Sequence, residues 1–506
     1  MDSTVQTLTQ SISLILPEIA LIATACVHFL LGPFLVSDDN RAPAGLRHRW
    51  GVLALLGLLA AGWFWFNSTP VDSQSVGAGP FRLDSLAWFI RGLTLAGGLV
   101  LLLVGWNKID DSRAAEQHAC LLLMLAGVNL VVAANDLVVL FLALELVSIP
   151  TYVFLYLPRR DAANEEAVIK YFLLSVFSSA LVLYGFSFLY GTTGTTNLAA
   201  IHAALWTRTA DAMPPVLVIT LVTIVAGFGF RITAVPFHFY APDVFQGTST
   251  PAAAMLSFVP KLAGFVGLLR VLAVPPATGL DLQPAWTLIE AAEPMLWLLA
   301  VVTMFLGNVM ALLQTNLKRL LAYSSVSHAG YMLVGLTVSG GPETAVNGAD
   351  ALLFYLAVYG AMTIGVFAVL SALSGPRHSV ETLDDVSGLG LSHPVAALLM
   401  TVFLFSLTGL PPTAGFLGKL NLFLAAWSEG TTSARWLAAF LAVNAAIGAW
   451  YYLRIVAAMY LQPAVRPIER RVETPAFVGT VLCAAAVIGV FVAPEWLWKV
   501  IERISA

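Results

Sequence analysis

Apolar runs of about 20 residues recur along this chain, and each is long enough to cross a lipid bilayer as an α-helix. Only 11% of the 506 residues are charged, whereas a soluble chain of this size carries roughly 25%. Inside a bilayer the backbone must satisfy its own hydrogen bonds, which favours helices. The sequence therefore predicts an all-α polytopic membrane protein that forms a single membrane domain over residues 1–506.

The hydrophobic pattern predicts fourteen membrane-spanning helices, which are numbered by their order along the chain. They cover residues 13–36, 48–66, 86–105, 118–134, 136–157, 167–190, 214–237, 252–274, 294–313, 317–338, 349–373, 394–425, 435–460 and 475–497. The twelfth span is too long for one straight helix. None of the loops between the spans is long enough to hold a soluble domain.

Basic residues predict the orientation, because membrane proteins keep an excess of Lys and Arg in their cytoplasmic loops. The loops after odd-numbered spans hold Arg41, Arg47, Arg49, Lys108, Arg113, Arg159, Arg160, Lys318, Arg319, Arg377, Arg466, Arg470 and Arg471. The opposite side holds only Arg82, Arg208, Arg435, Lys499 and Arg503. This bias places the loops after odd-numbered spans in the cytoplasm and predicts that both termini lie outside.

Prolines interrupt two of the spans. Pro236, Pro242 and Pro251 lie at and beyond the end of the seventh span, and Pro411 and Pro412 lie inside the twelfth. Proline removes a backbone donor and clashes with the preceding helical turn, so both helices are expected to break or kink. Irregular backbone at membrane depth is tolerated only where it is buried in protein or lines water.

The two broken spans are five apart, which predicts an internal repeat. The first repeat would hold helices 4–8, residues 118–274, and the second would hold helices 9–13, residues 294–460. A repeat of five spans must invert in the membrane, because each span reverses the direction of the chain. Broken helices in corresponding positions of inverted repeats are typical of transport sites near the middle of the membrane.

Three charged residues lie well inside spans, with apolar neighbours on both sides: Glu145, Lys261 and Lys419. A charge at the middle of the bilayer costs at least ~2.5–3.5 kcal/mol, so it needs a partner or a water-filled cavity. The default interpretation of such residues is an ion or proton path. Arg231, at the end of the seventh span, is expected to face the same wet interior beside the broken helix.

Other polar residues of the spans have a structural alternative. Arg91, Arg270 and Arg454 lie near span ends, from which long side chains can extend to the lipid headgroups. Glu18 is expected to interact with the start of the first helix rather than to transport ions. Lys170 opens the sixth span, so it either extends to the membrane surface or joins the path.

His328 lies inside the tenth span, in "AYSSVSHAGYML". It is either a member of the path or a core residue that is hydrogen-bonded to Ser324, one helical turn away. Histidine can gain and lose a proton near neutral pH. The sequence leaves both alternatives open.

The predicted interior holds several cations and one clear carboxylate, which favours protons over sodium. Sodium sites use clustered carboxylates, hydroxyls and unwound carbonyl groups, and a row of lysines repels sodium. Lysine suits proton transfer, since burial beside another cation lets an amine release its proton more readily.

Cofactor motifs are absent from the sequence. Cys26, Cys120 and Cys483 lie far apart in apolar spans, which argues against disulfide, zinc or iron–sulfur sites. No glycine-rich nucleotide-binding motif occurs. We expect no cofactor and no nucleic-acid partner.

Six stretches together resemble the antiporter-like membrane subunits of the proton-pumping NADH:quinone oxidoreductase, respiratory complex I. They are "LELVSIPTYVF" (144–154), "VPFHFYAPDVFQG" (235–247), "MLSFVPKLAGF" (255–265), "NLKRLLAYSSVSHAGYML" (316–333), "LTGLPPTAGFLGK" (407–419) and "YYLRI" (451–455). The resemblance covers all fourteen spans. Within the family, "PDVFQG" resembles the branch called subunit N more than the sister subunits L and M.

The resemblance implies a proton carrier without a redox cofactor of its own. Such subunits move protons along a hydrated axis in the middle of the membrane, driven by quinone reduction elsewhere in the complex. By position, the family's axis residues correspond here to Glu145, Lys170, Lys261, His328 and Lys419. The implied partners are the other membrane subunits, the lipid bilayer, protons and water, in a bacterial plasma membrane.

Arg231 departs from the family pattern, which has a lysine at this position of the seventh helix, paired with the glutamate of the fifth. Arginine does not deprotonate in proteins. Arg231 is therefore expected to act on Glu145 by its charge, and the usual transfer between lysines shifts to Glu145, Lys170 or Lys261.

Three other functions are compatible with parts of the pattern. A stand-alone cation/proton antiporter, or a subunit of a multisubunit one, would share the spans, but the scarcity of carboxylates in them counts against it. A redox subunit binding haem or quinone would need two facing histidines, for which His28, His118, His238 and His328 are candidates. A purely structural membrane anchor would leave Lys261 and Lys419 unexplained.

Overall fold

The computed structural model describes residues 12–37, 42–70, 79–159, 161–206, 214–273, 287–340, 346–375, 379–466 and 473–505. Its architecture is all-α, and every predicted span corresponds to a helix or a broken helix. The helices are α1 (Leu16–Leu31), α2 (Leu46–Phe66), α3 (Ser85–Gly105), α4 (Ala114–Ala133), α5 (Leu137–Tyr156), α6 (Ala162–Thr193), α7a (Pro215–Arg231), α7b (Ala241–Gly247), α8 (Thr250–Leu272), α9 (Leu288–Leu312), α10 (Leu317–Thr337), α11 (Gly348–Leu373), α12a (Pro394–Thr408), α12b (Ala414–Ser428), α13 (Thr432–Leu461), α14 (Thr474–Val492) and α15 (Pro494–Ser505). Short helices also cover Leu198–Trp206, Leu383–Val386 and Leu389–Ser392.

Eleven of the described helices are long and apolar enough to cross a membrane, and α7a and α12a are shorter apolar helices. The chain is therefore a membrane protein. Helix α10 has the length of a span but carries Ser, His and Tyr along its middle, and all its residues from Leu320 to Thr337 are buried. A helix that is shielded from lipid by its neighbours does not need an apolar surface.

The centre of the bundle is formed by α8, α10 and α11. Every residue of α8 is buried, and α11 is buried over most of its length. Helix α8 packs against α11, and α10 packs against α11, α12b and α13. These three helices position Lys261 and His328 away from lipid.

Both proline-containing spans are broken, as predicted. Helix α7a ends at Arg231, and Thr233 then adopts the left-handed backbone conformation with φ 59°, which is unfavourable for a β-branched residue. Helix α12a ends at Thr408, and Gly409 takes φ 87° before the chain resumes as α12b.

Isolated β-bridges on the two faces of the molecule support the inverted repeat. Asp136, before α5, bridges to Asn197, after α6, and Asn316, before α10, bridges to Thr382, after α11. The first bridge joins loops after even-numbered spans, and the second joins loops after odd-numbered spans. Equivalent bridges on opposite faces are what two inverted repeats produce. The boundaries of those repeats, residues 118–274 and 294–460, stay a prediction.

Two predicted helix ends are wrong. The seventh span was expected to reach residue 237, but α7a stops at Arg231 because the backbone turns at Thr233. The last span was expected to reach residue 497, but α14 ends at Val492 and Pro494 begins the separate helix α15. Proline is favoured at the first turn of a helix, so Pro494 starts α15 rather than continuing α14.

The interpretation of Arg91 and Arg270 as headgroup-facing residues is wrong. Arg91 is fully buried and its Nε lies 2.7 Å from Oε1 of Glu18, which is also fully buried. Arg270 donates two hydrogen bonds, of 2.6 and 2.7 Å, to Asp84. Arg454 is partly buried and donates to backbone carbonyl groups near the end of α9. Ion pairs with residues far away in the sequence stabilise Arg91 and Arg270, and carbonyl groups stabilise Arg454.

Contacts bring the loops after odd-numbered spans together on one face. Lys318 and Arg159 both pair with Glu381, and Lys108 pairs with Glu473. This agrees with the predicted alternation of loops. The orientation prediction also used Arg41, Arg160, Arg208, Arg377, Arg470 and Arg471, which lie outside the described residues.

Candidate functional site

The first part of the candidate site is a pair of opposite charges between α5 and α7a. Nη2 of Arg231 lies 3.4 Å from Oε1 of Glu145, as the predicted pairing requires. Arg231 also donates to the Leu144 carbonyl at 3.1 Å and to Ser148 Oγ at 2.7 Å. Ser179 of α6 lies between the two charges, because it accepts from Arg231 at 3.2 Å and donates a short hydrogen bond to Glu145. The arginine is thereby held by α5 and α6 together.

Glu145 is not enclosed to the same degree as Arg231. Its side chain is 24% exposed, against 4% for Arg231. Leu142 and Ile149, one turn away on either side along α5, are exposed. Glu145 therefore lies where the buried charge pair meets the outer surface of the bundle.

Arg231 and Lys261 lie on two helices that pack against each other, α7a and α8. A Cβ added at Gly264, one turn beyond Lys261, would lie 3.2 Å from Cβ of Arg231. Lys261 is 1% exposed, and its Nζ donates a short hydrogen bond to the carbonyl of Ser325 in α10. The amine also lies 5.4 Å from the centre of the Tyr359 ring. Lys261 thus joins α8 to α10 and α11, next to the helix that carries Arg231.

His328 is fully buried, and each of its ring nitrogens contacts a tyrosine hydroxyl. Nδ1 lies 2.5 Å from Tyr355 Oη of α11, and Nε2 lies 2.9 Å from Tyr452 Oη of α13. The alternative of a direct hydrogen bond with Ser324 is wrong, because the two side chains are joined through Tyr452. Helical spacing alone could not reveal partners from other helices.

Lys419 lies at the break of the twelfth span. Its Nζ donates to the carbonyls of Leu407 and Thr408 at 2.8 and 2.9 Å. These carbonyls belong to the last turn of α12a, where helix ends leave acceptors unsatisfied and favour a cation. The amine also lies 4.9 Å from the centre of the Tyr331 ring of α10. The broken helix thus provides the binding site for Lys419.

Neither Lys261 nor Lys419 forms an ion pair with a carboxylate of the described residues. Their partners are neutral carbonyl oxygens and aromatic rings. A carboxylate within a few ångströms would favour the charged lysine. Both amines are thus free of the interaction that would hold their protons most strongly.

Lys170 lies apart from the other five predicted residues. It is 39% exposed and pairs with Glu166 of its own helix and with Asp243 of α7b. Arg319 of α10 also pairs with Asp243, at 2.6 Å. Ser179, which contacts Glu145, is nine residues further along α6, or about 13 Å at 1.5 Å per residue. A role for Lys170 in transport stays a prediction.

The tyrosines of this site were not predicted from the sequence. Tyr331, Tyr355, Tyr359 and Tyr452 are buried, and each contacts Lys261, His328 or Lys419. The available signal was the presence of two adjacent tyrosines in "YYLRI" and of Tyr355 and Tyr359 one turn apart in α11.

Two of the four candidate histidines, His28 and His328, have no free ring nitrogen for a haem iron. Both ring nitrogens of His28 contact carbonyl oxygens, those of Thr24 and Trp50, and both nitrogens of His328 contact tyrosines. His28 and His118 are neighbours, with ring centres 6.3 Å apart, but His28 offers no free nitrogen. Within the described ranges, no group of three metal-ligating side chains occurs.

Residues 134–448, well over half of the chain, match the family described as NADH:quinone oxidoreductase/Mrp antiporter, TM. The chain belongs to this family. The matched residues extend from the start of α5 into α13 and include every predicted site residue. Membership in the NADH:quinone oxidoreductase/Mrp antiporter family agrees with the resemblance inferred from the sequence.

Two relatives are similar to nearly the whole chain. NADH-quinone oxidoreductase subunit N of Trichlorobacter lovleyi is 39% identical over 495 residues, which cover 96% of this chain and 95% of that protein. NADH-quinone oxidoreductase subunit N of Rhodospirillum rubrum is 36% identical over 485 residues, with 95% and 94% covered. Among solved structures, a chain of respiratory complex I from Thermus thermophilus with bound aureothin has a TM-score of 0.76 at 29% identity. It covers 96% of this chain and 98% of that chain.

Proposed function

We propose that this chain translocates protons as the N-type antiporter-like subunit of a proton-pumping NADH:quinone oxidoreductase. The observation that carries the proposal is the placement of Glu145, Arg231, Lys261, His328 and Lys419 on helices that pack against one another. These residues extend from the surface of α5 to the break of α12, and they lie in both halves of the family fold. Buried ionisable groups in a membrane are costly, and a proton path is a function that uses them.

The two lysines are the proton-carrying groups of this proposal. Lys261 and Lys419 bind neutral oxygen atoms, so each can release a proton without leaving a buried carboxylate unpaired. His328 lies between them on α10 and can bind a proton at either ring nitrogen. Protons would pass from Lys261 to His328 and on to Lys419.

Arg231 has a different role from the lysines, because its guanidinium group keeps its proton. Its charge stabilises the ionised form of Glu145, from which it lies 3.4 Å away. Movement of the broken seventh helix would withdraw that charge and make Glu145 easier to protonate. Lys170, half-exposed on the predicted cytoplasmic side, suits proton uptake from solvent.

The partners of the chain would be the other membrane subunits of the complex, as the names of its relatives suggest. Quinone reduction elsewhere in that complex would drive the transfer, and this chain would hold no redox cofactor. The exposed face of α5 beside Glu145 suits contact with a neighbouring subunit or lipid. We place the chain in the bacterial plasma membrane, with both termini on the outer side.

The proposal is tested with the whole oxidoreductase reconstituted in vesicles. Lys419→Ala should lower NADH-driven proton uptake by about 10-fold or more, because a positioned proton-transfer group is lost. Lys499→Ala removes an exposed lysine from α15 and is the matched control. Full proton uptake by an assembled Lys419→Ala enzyme would contradict the proposal, as would uptake that depends on sodium.

A further inference from the structure

His328 is the only histidine of the described residues whose two ring nitrogens both contact side-chain hydroxyls. The hydroxyls come from different helices, Tyr355 on α11 and Tyr452 on α13. All three side chains are at most 1% exposed. The Tyr355 ring also stacks on the imidazole, with 17° between the planes. The geometry therefore fixes both the position and the orientation of the imidazole.

A hydroxyl partner differs from a carbonyl partner in what it allows. A hydroxyl both donates and accepts a hydrogen bond, whereas a carbonyl oxygen only accepts. His28 shows the contrast, because its nitrogens face the carbonyls of Thr24 and Trp50 at 2.8 and 3.1 Å. A carbonyl group cannot relay a proton. The two tyrosine hydroxyls that contact His328 can, because each can accept one proton and donate another.

The two tyrosines have different further contacts. Tyr355 packs against α12b at Gly418, where an added Cβ would lie 2.5 Å from its ring. The next residue of α12b is Lys419. Tyr452 forms a second, short hydrogen bond to Ser324 Oγ of α10, so its hydroxyl already has two polar partners. Tyr355 thus contacts His328 with its hydroxyl and the helix of Lys419 with its ring, whereas the hydroxyl of Tyr331 is bonded to Asn308.

We infer that Tyr355 relays protons between His328 and Lys419, and that Tyr452 is a positioning residue that fixes the imidazole for this transfer. In the relay, Nδ1 of a protonated His328 gives its proton to Tyr355 Oη. The same hydroxyl releases its own proton, directly or through water, to the uncharged amine of Lys419, so one O–H bond forms as another breaks and an N–H bond forms on the lysine. The hydroxyl ends with one proton, as it began, and its rotation resets the pair.

The charges of both lysines act on His328. Lys261 and Lys419 are both close enough to act electrostatically on the imidazole, while Tyr331 and Tyr359 contact its ring at 5.4 and 5.3 Å. A proton that arrives on Lys261 while Lys419 is uncharged repels one on His328 and favours its departure toward Lys419. The inference rests on the proposed proton-carrying function and adds a residue to it.

The test compares tyrosine variants in the reconstituted oxidoreductase. Tyr355→Phe and Tyr452→Phe each remove one hydroxyl from His328. Tyr451→Phe is the matched control, because Tyr451 is buried next to Tyr452 but bonds to Asn308 instead of His328. The measurements are the rate of NADH-driven proton uptake and its ratio in H₂O and D₂O.

We expect Tyr355→Phe to slow proton uptake about 10-fold or more and to raise the solvent isotope ratio, because proton transfer becomes rate-limiting. Tyr452→Phe should slow uptake by a smaller factor without raising the isotope ratio, and Tyr451→Phe should stay within about twofold of the unmodified enzyme. An unchanged rate and isotope ratio in Tyr355→Phe would overturn the inference.

Two further variants complete the test. If Tyr355→Phe does not assemble, 3-fluorotyrosine at position 355 preserves the shape and changes the acidity of the hydroxyl, so an unchanged uptake rate would then overturn the relay. Lys419→Ala is measured in parallel. Loss of uptake in Lys419→Ala with normal uptake in Tyr355→Phe would reject the tyrosine relay alone, whereas normal uptake in Lys419→Ala would reject the proposed function.

Discussion

Nη2 of Arg231, the last residue of α7a, lies 3.4 Å from Oε1 of Glu145 in the middle of α5. Ser179 contacts both groups, so the pair is a network rather than a single contact. The helix that carries Arg231 ends at this residue. Any movement of the broken seventh helix therefore changes the charge that Glu145 experiences.

This geometry predicts non-additive effects of substitutions in the pair. Arg231→Lys should keep at least half of the proton uptake, since it preserves the charge. Arg231→Ala should lower uptake about as much as Glu145→Gln does, because each breaks the same pair. The double variant should be little worse than either single one, as residues in one network are coupled. Additive losses in the double variant, measured as uptake rates in vesicles, would contradict the pairing.

The break of the twelfth span predicts a second effect. Gly409 has φ 87°, and a Cβ there would lie 2.9 Å from Cδ of Lys419. Gly430 has a similar φ of 84° with no atom within 4 Å of an added Cβ. Both Ala substitutions carry the same backbone strain of roughly 1–2 kcal/mol, but only Gly409→Ala displaces Lys419. Proton uptake should fall several-fold in Gly409→Ala and remain normal in Gly430→Ala, and equal uptake in the two would refute the role of this contact.

The buried pair of Glu18 and Arg91 predicts a loss of stability without a loss of transport. Both side chains are fully buried between α1 and α3, and removal of one partner leaves the other charge uncompensated. Arg91→Met should destabilise the chain by about 3–5 kcal/mol, seen as earlier thermal unfolding of the purified enzyme. Arg435→Met, at an exposed loop-proximal site, is the control. Proton uptake per assembled Arg91→Met enzyme should be unchanged. A lower rate of uptake would contradict this prediction and would indicate that the proton path includes α1 and α3.

Hydrophobic length was sufficient to predict the fourteen spans, because a bilayer requires about 20 apolar residues for each helix. It could not predict that α7a ends at Arg231. That end depends on the turn at Thr233, and hydrogen bonds hold the backbone on both sides of the turn: Tyr240 donates to the Phe230 carbonyl, and Val235 N–H donates to Thr303 of α9. Tertiary contacts of this kind leave no local pattern.

The charged members of the candidate site were recognisable because a charge inside a span is rare and costly. Their partners were not. Arg91 is separated from Glu18 by 73 residues, and Arg270 is separated from Asp84 by 186, so neither ion pair can be inferred from spacing along one helix. Tyr355 and Tyr452 were missed for the same reason, since only the packing of α10, α11 and α13 brings them to His328.

The central claim, that buried lysines carry protons through this chain, is tested most directly at Lys261. The measurement is the number of protons taken up per NADH oxidised by the reconstituted oxidoreductase carrying Lys261→Met, which keeps the volume and removes the amine. Lys499→Met, on the exposed surface of α15, is the control. The account predicts that the ratio falls in Lys261→Met and stays normal in Lys499→Met. An assembled Lys261→Met enzyme with the full ratio would contradict it.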